Sequence, residues 1–225
     1  MQRDFILKSA AAAAIIAFCI HSAALIEANR IQDATWTACN DLPCAHWDAR
    51  RQAIESYINQ NETRPVYVAL GDSITEFADL PPLCGRKAIN AAVGGATVET
   101  YIEKGRDFVE MAKPDFIFVA LGTNNALRRR KATFERSMRE LLARLKPWPL
   151  FLVPLPPGPE VPDVAFYNDA LARTGAPMAN PLDHIETYDG VHLNARDYVG
   201  WKASIAAAAE SGVCAATKST SSRPG

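Results

Sequence analysis

Residues 115–121 read Asp-Phe-Ile-Phe-Val-Ala-Leu and stop at Gly122. A short unbroken apolar run, aromatic and β-branched and closed by glycine, is the mark of a strand buried on both faces. Such a strand belongs in a parallel sheet, and parallel strands need a crossover, usually a helix, between them. The rest of the chain supplies both parts. Pro65–Leu70, Lys87–Ala92 and Leu150–Val153 are further apolar runs, and Pro177–Asn180 reads as a short last strand. Between and around them the spacing is helical. Trp47, Ile54, Tyr57 and Ile58 share one face of a helix over His46–Asn59, and Val98, Ile102, Val109 and Ala112 mark a second. Phe134, Met138, Leu141, Leu142 and Leu145 mark a third, with Thr133 as its expected N-cap. Asp163–Arg173 reads as a fourth, and Asn194 is expected to cap a last helix carrying Tyr198, Trp201 and Ile205. The alternation predicts an α/β domain with a parallel sheet covered on both sides. Function in such sheets gathers on loops at the carboxyl ends of the strands.

The chain has 225 residues, 48% of them hydrophobic and 22% charged, with a formal net charge of −1. This is a globular balance, with no whole-chain basic signal for nucleic acid. Residues 1–26 stand apart. Arg3 and Lys8 precede an apolar run from Ala10 to Ile20, and Ser22 and Ala24 suit a small-residue cleavage rule. This predicts either a secretory leader cut after Ala24 or an uncleaved N-terminal anchor, and both put the domain outside the cytoplasm. Residues 27–64 read as an extension with a helix packing on the domain, 65–214 as the domain itself, and 215–225 as a flexible tail. Of five cysteines Cys19 lies in the leader, leaving Cys39, Cys44, Cys84 and Cys214, an even number suited to disulfides in an exported chain. Their spacing does not suit zinc.

Four polar segments follow strands or precede the last helix: Gly71-Asp72-Ser73-Ile74-Thr75, Asn90-Ala91-Ala92-Val93-Gly94-Gly95, Gly122-Thr123-Asn124-Asn125, and Asp189-Gly190-Val191-His192. In that order they resemble the four blocks of the SGNH, or GDSL-type, hydrolases, over about Val66 to Trp201. The resemblance implies a three-layer α/β/α sandwich around a mainly parallel, flavodoxin-like five-stranded sheet. It also implies a serine hydrolase acting on ester bonds without metal or organic cofactor.

The residue types fit that chemistry. A serine hydroxyl needs a base to become a nucleophile. Ser73 stands where a buried strand meets a turn, His192 supplies an imidazole, and Asp189 lies three residues earlier to orient it. His184, His46 and Asp183 are the competing residues and lack this setting. The resemblance implies an oxyanion hole built from the N–H groups of Ser73 and Gly95 and the side-chain amide of Asn124; counting from Asn90 favours Gly95 over Gly94. Two positions depart from the family pattern. Asn125 stands where an acid is common, and Ala92 where a glycine is common; neither removes a catalytic group.

Two further segments invite explanation. Arg128-Arg129-Arg130-Lys131 ahead of a helix is either a solvated charge run or a site for an anionic substrate. Pro154–Pro162 is either a stiff connection or a wall of the acyl pocket. In the expected topology Cys84, before the second strand, and Cys214, after the last helix, both lie at the bottom of the sheet, whereas Cys39 and Cys44 precede a helix that begins high. The expected pairs are therefore Cys39–Cys44 and Cys84–Cys214.

The sequence thus points to an exported serine esterase that forms an acyl-enzyme on Ser73. The ester substrate is expected to be short acyl or acetyl, carried by a carbohydrate or cell-envelope polymer, with a membrane tether as the alternative to a cleaved leader. The rival functions are an O-acyltransferase with the same triad and a catalytically silent binding domain.

Overall fold

The computed structural model describes residues 44–61 and 65–214. The leader and tail calls, and the Cys39–Cys44 pairing, fall outside the described residues. Along the chain run α1 (Cys44–Gln60), β1 (Val66–Gly71), α2 (Ser73–Glu76), β2 (Lys87–Asn90), α3 (Val98–Ala112), β3 (Phe116–Ala120), α4 (Thr123–Leu127), α5 (Lys131–Leu145), β4 (Leu150–Leu152), α6 (Val164–Ala172) and α7 (Ala195–Ser211). The strands form one sheet in the order β2-β1-β3-β4, and every neighbouring pair is parallel.

The pleat divides the apolar runs between two cores. Val66, Val68, Leu70, Ile117 and Val119 point to the side covered by α1, α3, α5 and α6, where Ile54, Phe108, Phe134, Met138 and Leu171 pack. Tyr67, Ala69, Phe116, Phe118 and Phe151 point to the other side, covered by α7 through Trp201, Ile205 and Ala209. Tyr67 stacks on Phe116 with ring centroids 5.2 Å apart, and Phe118 meets Phe151 at 5.9 Å, so the second core is an aromatic ladder across β1, β3 and β4. The result is the expected three-layer α/β/α sandwich.

The fifth strand is not formed as expected. Pro177–Asn180 makes only a single parallel bridge, Leu152 to Met178, held by Leu152 N–H to Pro177 O and Ala179 N–H to Leu152 O, both 2.8 Å. Pro177 and Pro181 bracket the segment; proline has no N–H to donate, and the ladder stops there. The sheet therefore has four strands. The expected cap of α5 is also displaced. The helix begins at Lys131 with Arg130 at the capping position rather than Thr133. Arg129 N–H bonds Ala126 O at 2.8 Å and Arg130 N–H bonds Asn125 O at 2.9 Å, so the chain has already turned onto the new axis before Thr133. Asn194 caps α7 as expected, accepting from Asp197 N–H at 2.9 Å.

Cys84 and Cys214 are bonded, with Cα atoms 5.3 Å apart and a sequence separation of 130. The bond ties the turn before β2 to the end of α7. Among the described residues, no helix is long and apolar enough to cross a membrane. Closing so long a loop restricts the unfolded chain strongly. Replacing both cysteines by serine is expected to lower unfolding free energy by about 3 to 5 kcal/mol, read from denaturant unfolding of the oxidised protein and the double variant; equal midpoints would contradict this.

Candidate active site

The carboxyl ends of β1, β2 and β3 open at one edge of the sheet, and three of the four polar segments sit there. β1 ends at Gly71, and the chain turns at once into the single-turn helix α2, capped by Asp72 Oδ1, which accepts from Ile74 N–H at 3.1 Å. The turn is tight: a Cβ on Gly71 would lie 2.3 Å from Thr75 Oγ1, so no larger residue fits before it. Ser73 therefore starts the helix with its hydroxyl at the sheet edge. The fourth segment reaches it from the loop before α7. Ser73 Oγ lies 2.7 Å from His192 Nε2 across 119 residues of sequence, and His192 Nδ1 lies 2.6 Å from Asp189 Oδ2.

Asp189 is held as firmly as it holds. Its Oδ1 accepts from His192 N–H at 2.8 Å and from Val191 N–H at 3.0 Å. These bonds, the His192 N–H first, lower its pKa to about 2, so Asp189 is a carboxylate at any ordinary pH. The Pro-rich loop braces the same segment: Glu160 N–H bonds Gly190 O at 2.9 Å. Pro154–Pro162 thus acts on the His192 loop from behind. Among the described residues neither Asp183 nor His184 bonds this group, and His46 lies against Glu76 instead, at 3.3 Å.

The segment after β2 is secured residue by residue. Ala91 N–H bonds Ala69 O, Ala92 N–H bonds Asn90 Oδ1, Val93 N–H bonds Gly71 O, and Gly94 N–H bonds Glu76 Oε2. The N–H of Gly95 has no partner among the described residues. Its φ is +78°, a conformation glycine adopts without strain. Of the two glycines, the one favoured by counting is thus the one with an unengaged donor. Asn124 gives one amide hydrogen to Ala96 O at 3.1 Å, which fixes the group and leaves its second hydrogen.

The two family departures have structural roles. Asn125 is buried; its Oδ1 accepts from Val98 N–H at 3.1 Å, the first amide of α3, and its Nδ2 donates to Glu99 at 2.9 Å. Acceptance by an oxygen is all the helix end needs, and an amide supplies it as an acid would. Ala92 offers its carbonyl to Arg50, at 2.8 Å from Nη2. The basic run is met from within the chain: Arg128 Nη2 lies 3.4 Å from Gly95 O, Arg130 3.7 Å from Glu99, and Lys131 2.7 Å from Asp163. Three of its four side chains thus tie neighbouring loops together, whereas Arg129 is exposed.

Sequence reasoning passed over several residues that the fold brings to the site. Tyr188 stacks on His192 at 5.7 Å and Phe77 approaches it at 5.5 Å, and the two are 66% and 60% exposed, unlike the buried rings of the core. Their signal was faint: one aromatic next to each motif. Glu76 and Arg50 carried none, because only the fold brings them to the loop after β2. Among the described residues, no group of three or more His, Cys, Asp or Glu side chains is placed to hold a metal ion.

Asp72 is the buried charge of the site. Its Oδ2 has no hydrogen-bond partner and borders a cavity of about 10 Å³ lined also by Thr123, Pro154 and Trp201. Desolvation raises its pKa to about 6, with the Ile74 N–H bond opposing. The folded value lies above the unfolded one, so the folded state holds the proton more tightly. Stability from this group is full below about pH 4 and lost as pH rises toward 6, on the order of 3 kcal/mol in all. Asp72→Asn removes that dependence. Its unfolding free energy relative to the parent is expected to climb between pH 4 and 6 and stay level above; a difference that does not change with pH would contradict the assignment.

No family model matches the chain, and no curated protein matches it. Solved structures do. One described as a putative platelet activating factor from Streptococcus pneumonia is 18% identical, with 79% of this chain and 99% of that one covered at a TM-score of 0.61. A GDSL-like lipase from Bacteroides thetaiotaomicron is 18% identical, covering 70% and 97% at 0.55. An acetylxylan esterase from Geobacillus stearothermophilus is 18% identical, covering 64% and 91% at 0.51. The architecture is common to all three, and this chain has the fold of the SGNH, or GDSL-type, hydrolases.

Proposed function

We propose that the protein is a serine esterase that cleaves a carboxylic ester through an acyl-enzyme on Ser73. The observation that carries this is the unbroken chain Ser73 Oγ–His192–Asp189, at 2.7 and 2.6 Å, beside the unengaged Gly95 N–H and the remaining amide hydrogen of Asn124. His192 Nε2 takes the hydroxyl proton as Ser73 attacks the carbonyl carbon. Asp189 holds the Nδ1 hydrogen and stabilises the imidazolium. The carbonyl oxygen becomes an oxyanion received by the N–H groups of Ser73 and Gly95 and by Asn124. His192 then hands its proton to the departing alcohol oxygen, and water repeats the sequence to free the acid and Ser73.

Because His192 protonates the leaving oxygen, the alcohol part of the ester lies on its side of the site. Phe77 and Tyr188 flank that side with exposed rings, which suits the flat apolar face of a sugar. Together with the likeness to an acetylxylan esterase, this supports an acetyl or other short acyl group on a carbohydrate or a cell-envelope polymer as the substrate. The Cys84–Cys214 bond supports an oxidising compartment and with it the leader reading of residues 1–26.

An acyl-length series of p-nitrophenyl esters tests the reaction. Turnover is expected to be greatest for the shortest acyl chains. Ser73→Ala and His192→Ala are each expected to lower kcat by about 10⁴-fold or more, and Asp189→Asn by less; hydrolysis retained in folded Ser73→Ala would refute the mechanism. For the alcohol side, Tyr188→Ala is expected to raise KM for an acetylated xylo-oligosaccharide about 3- to 10-fold while leaving KM for ethyl acetate in place. Equal effects on both esters would count against a sugar site.

A further inference from the structure

The loop that carries Gly95 is fastened by two side chains from outside it. Arg50 extends from α1, the helix that precedes all four motif segments. Its Nη2 donates to Ala92 O at 2.8 Å and Asn90 O at 3.2 Å, and its Nε to Ala92 O at 3.1 Å. The same Nε lies 3.1 Å from Glu76 Oε1. Glu76, three residues beyond Ser73 at the end of α2, accepts Gly94 N–H on its other oxygen, with His46 Nε2 3.3 Å away. The two side chains are 24% and 11% exposed, so solvent screens their contacts less than it would those of a surface pair.

We infer that Arg50 and Glu76 are positioning residues for the oxyanion hole: they fix the loop at Asn90 O, Ala92 O and Gly94 N–H, so that the Gly95 N–H that follows is preset for the developing charge. The inference rests on the hydrolase reading above. A donor stabilises an oxyanion only if it is already in place, because reorganisation during the reaction costs what the hydrogen bond gains. Two adjacent glycines have the freest backbone a loop can have, and main-chain bonds alone hold them loosely. The Arg50 fork spans two carbonyls and a carboxylate at once, and a lysine ammonium does not reproduce that geometry. Arg50 also neutralises Glu76, whose negative charge beside Gly94 would otherwise oppose the oxyanion. A Cβ on Gly94 would lie 3.0 Å from Glu76 Oε2 and 3.5 Å from Ser73 Cβ, which measures how closely this clamp borders the nucleophile.

The test uses the full chain with p-nitrophenyl acetate, and phenylboronic acid as a probe that forms a tetrahedral anionic adduct on the serine. Arg50→Ala is expected to lower kcat about 30- to 100-fold and boronate affinity in the same proportion, with KM changed less than about threefold. Arg50→Lys is expected to recover only a small part. Glu76→Gln keeps an acceptor for Gly94 N–H and is expected to lose about 10-fold or less in kcat. Unchanged kcat and boronate affinity, with only a fall in melting temperature, would overturn the inference. If Arg50→Ala fails to fold, Arg50→Lys and Glu76→Gln decide by the same two readouts. An inactive parent protein, or an active Ser73→Ala, would instead overturn the hydrolase reading itself.

Discussion

Parallel pairing gives β1, β2 and β3 one direction, so their carboxyl ends open together at a single edge of the sheet. The chain leaves β1 for β2 on one side and later returns to β3 on the other. Between those departures lies the crevice where open α/β sheets place their sites. Ser73, Gly95 and Asn124 reach it because each follows the last residues of a different strand. His192 does not follow a strand. It is carried there by the start of α7, and Tyr198 of that helix bonds Ile74 O at 2.8 Å, next to Ser73. Packing of α7 on the aromatic face of the sheet is therefore what brings His192 to Ser73.

Buried and half-buried side chains hold these loops in register with one another. Tyr101 lies with its hydroxyl 2.8 Å from both Gly71 O and Ala91 O, joining the ends of β1 and β2. Asn90 donates to Thr75 O at 2.8 Å and accepts from Ala92 N–H, joining the nucleophile turn to the glycine loop. Asn125 joins α4 to the start of α3, and Tyr167 bonds Asn125 O at 3.1 Å from α6. Buried polar groups are expensive unless satisfied, and here each satisfied group links two functional segments. Asp72 Oδ2 and Thr75 Oγ1, in the turn on either side of Ser73, are exceptions: both are buried without a hydrogen-bond partner, and the site carries that destabilisation.

Much of this was legible beforehand, for identifiable reasons. Continuous apolar runs such as 115–121 report burial on two faces, which only a covered parallel sheet provides. Asp189 and His192 are local to one another, so their pairing was visible as a spacing, and Gly95 could be counted from Asn90. The Cys84–Cys214 bond followed from which end of the sheet each cysteine must occupy. The fifth strand was overread because apolar character was weighed above the flanking prolines. Thr133 was chosen as a cap because the turn at 128–130 is set by bonds to Ala126 and Asn125, which composition does not announce.

By itself the sequence determined the layers and which polar side chains stand in the loops after the strands, because these depend on periodicity and on residue chemistry at loop positions. The tertiary structure decided what those groups face. It set Arg128, Arg130 and Lys131 against Gly95 O, Glu99 and Asp163, which come from other segments. It brought Phe77 and Tyr188 to His192, and Arg50 and Glu76 to the glycine loop, across 42 residues in the case of Arg50 and Ala92. Contacts between distant segments depend on how helices and loops dock on the sheet, and no local pattern of residues encodes that distance.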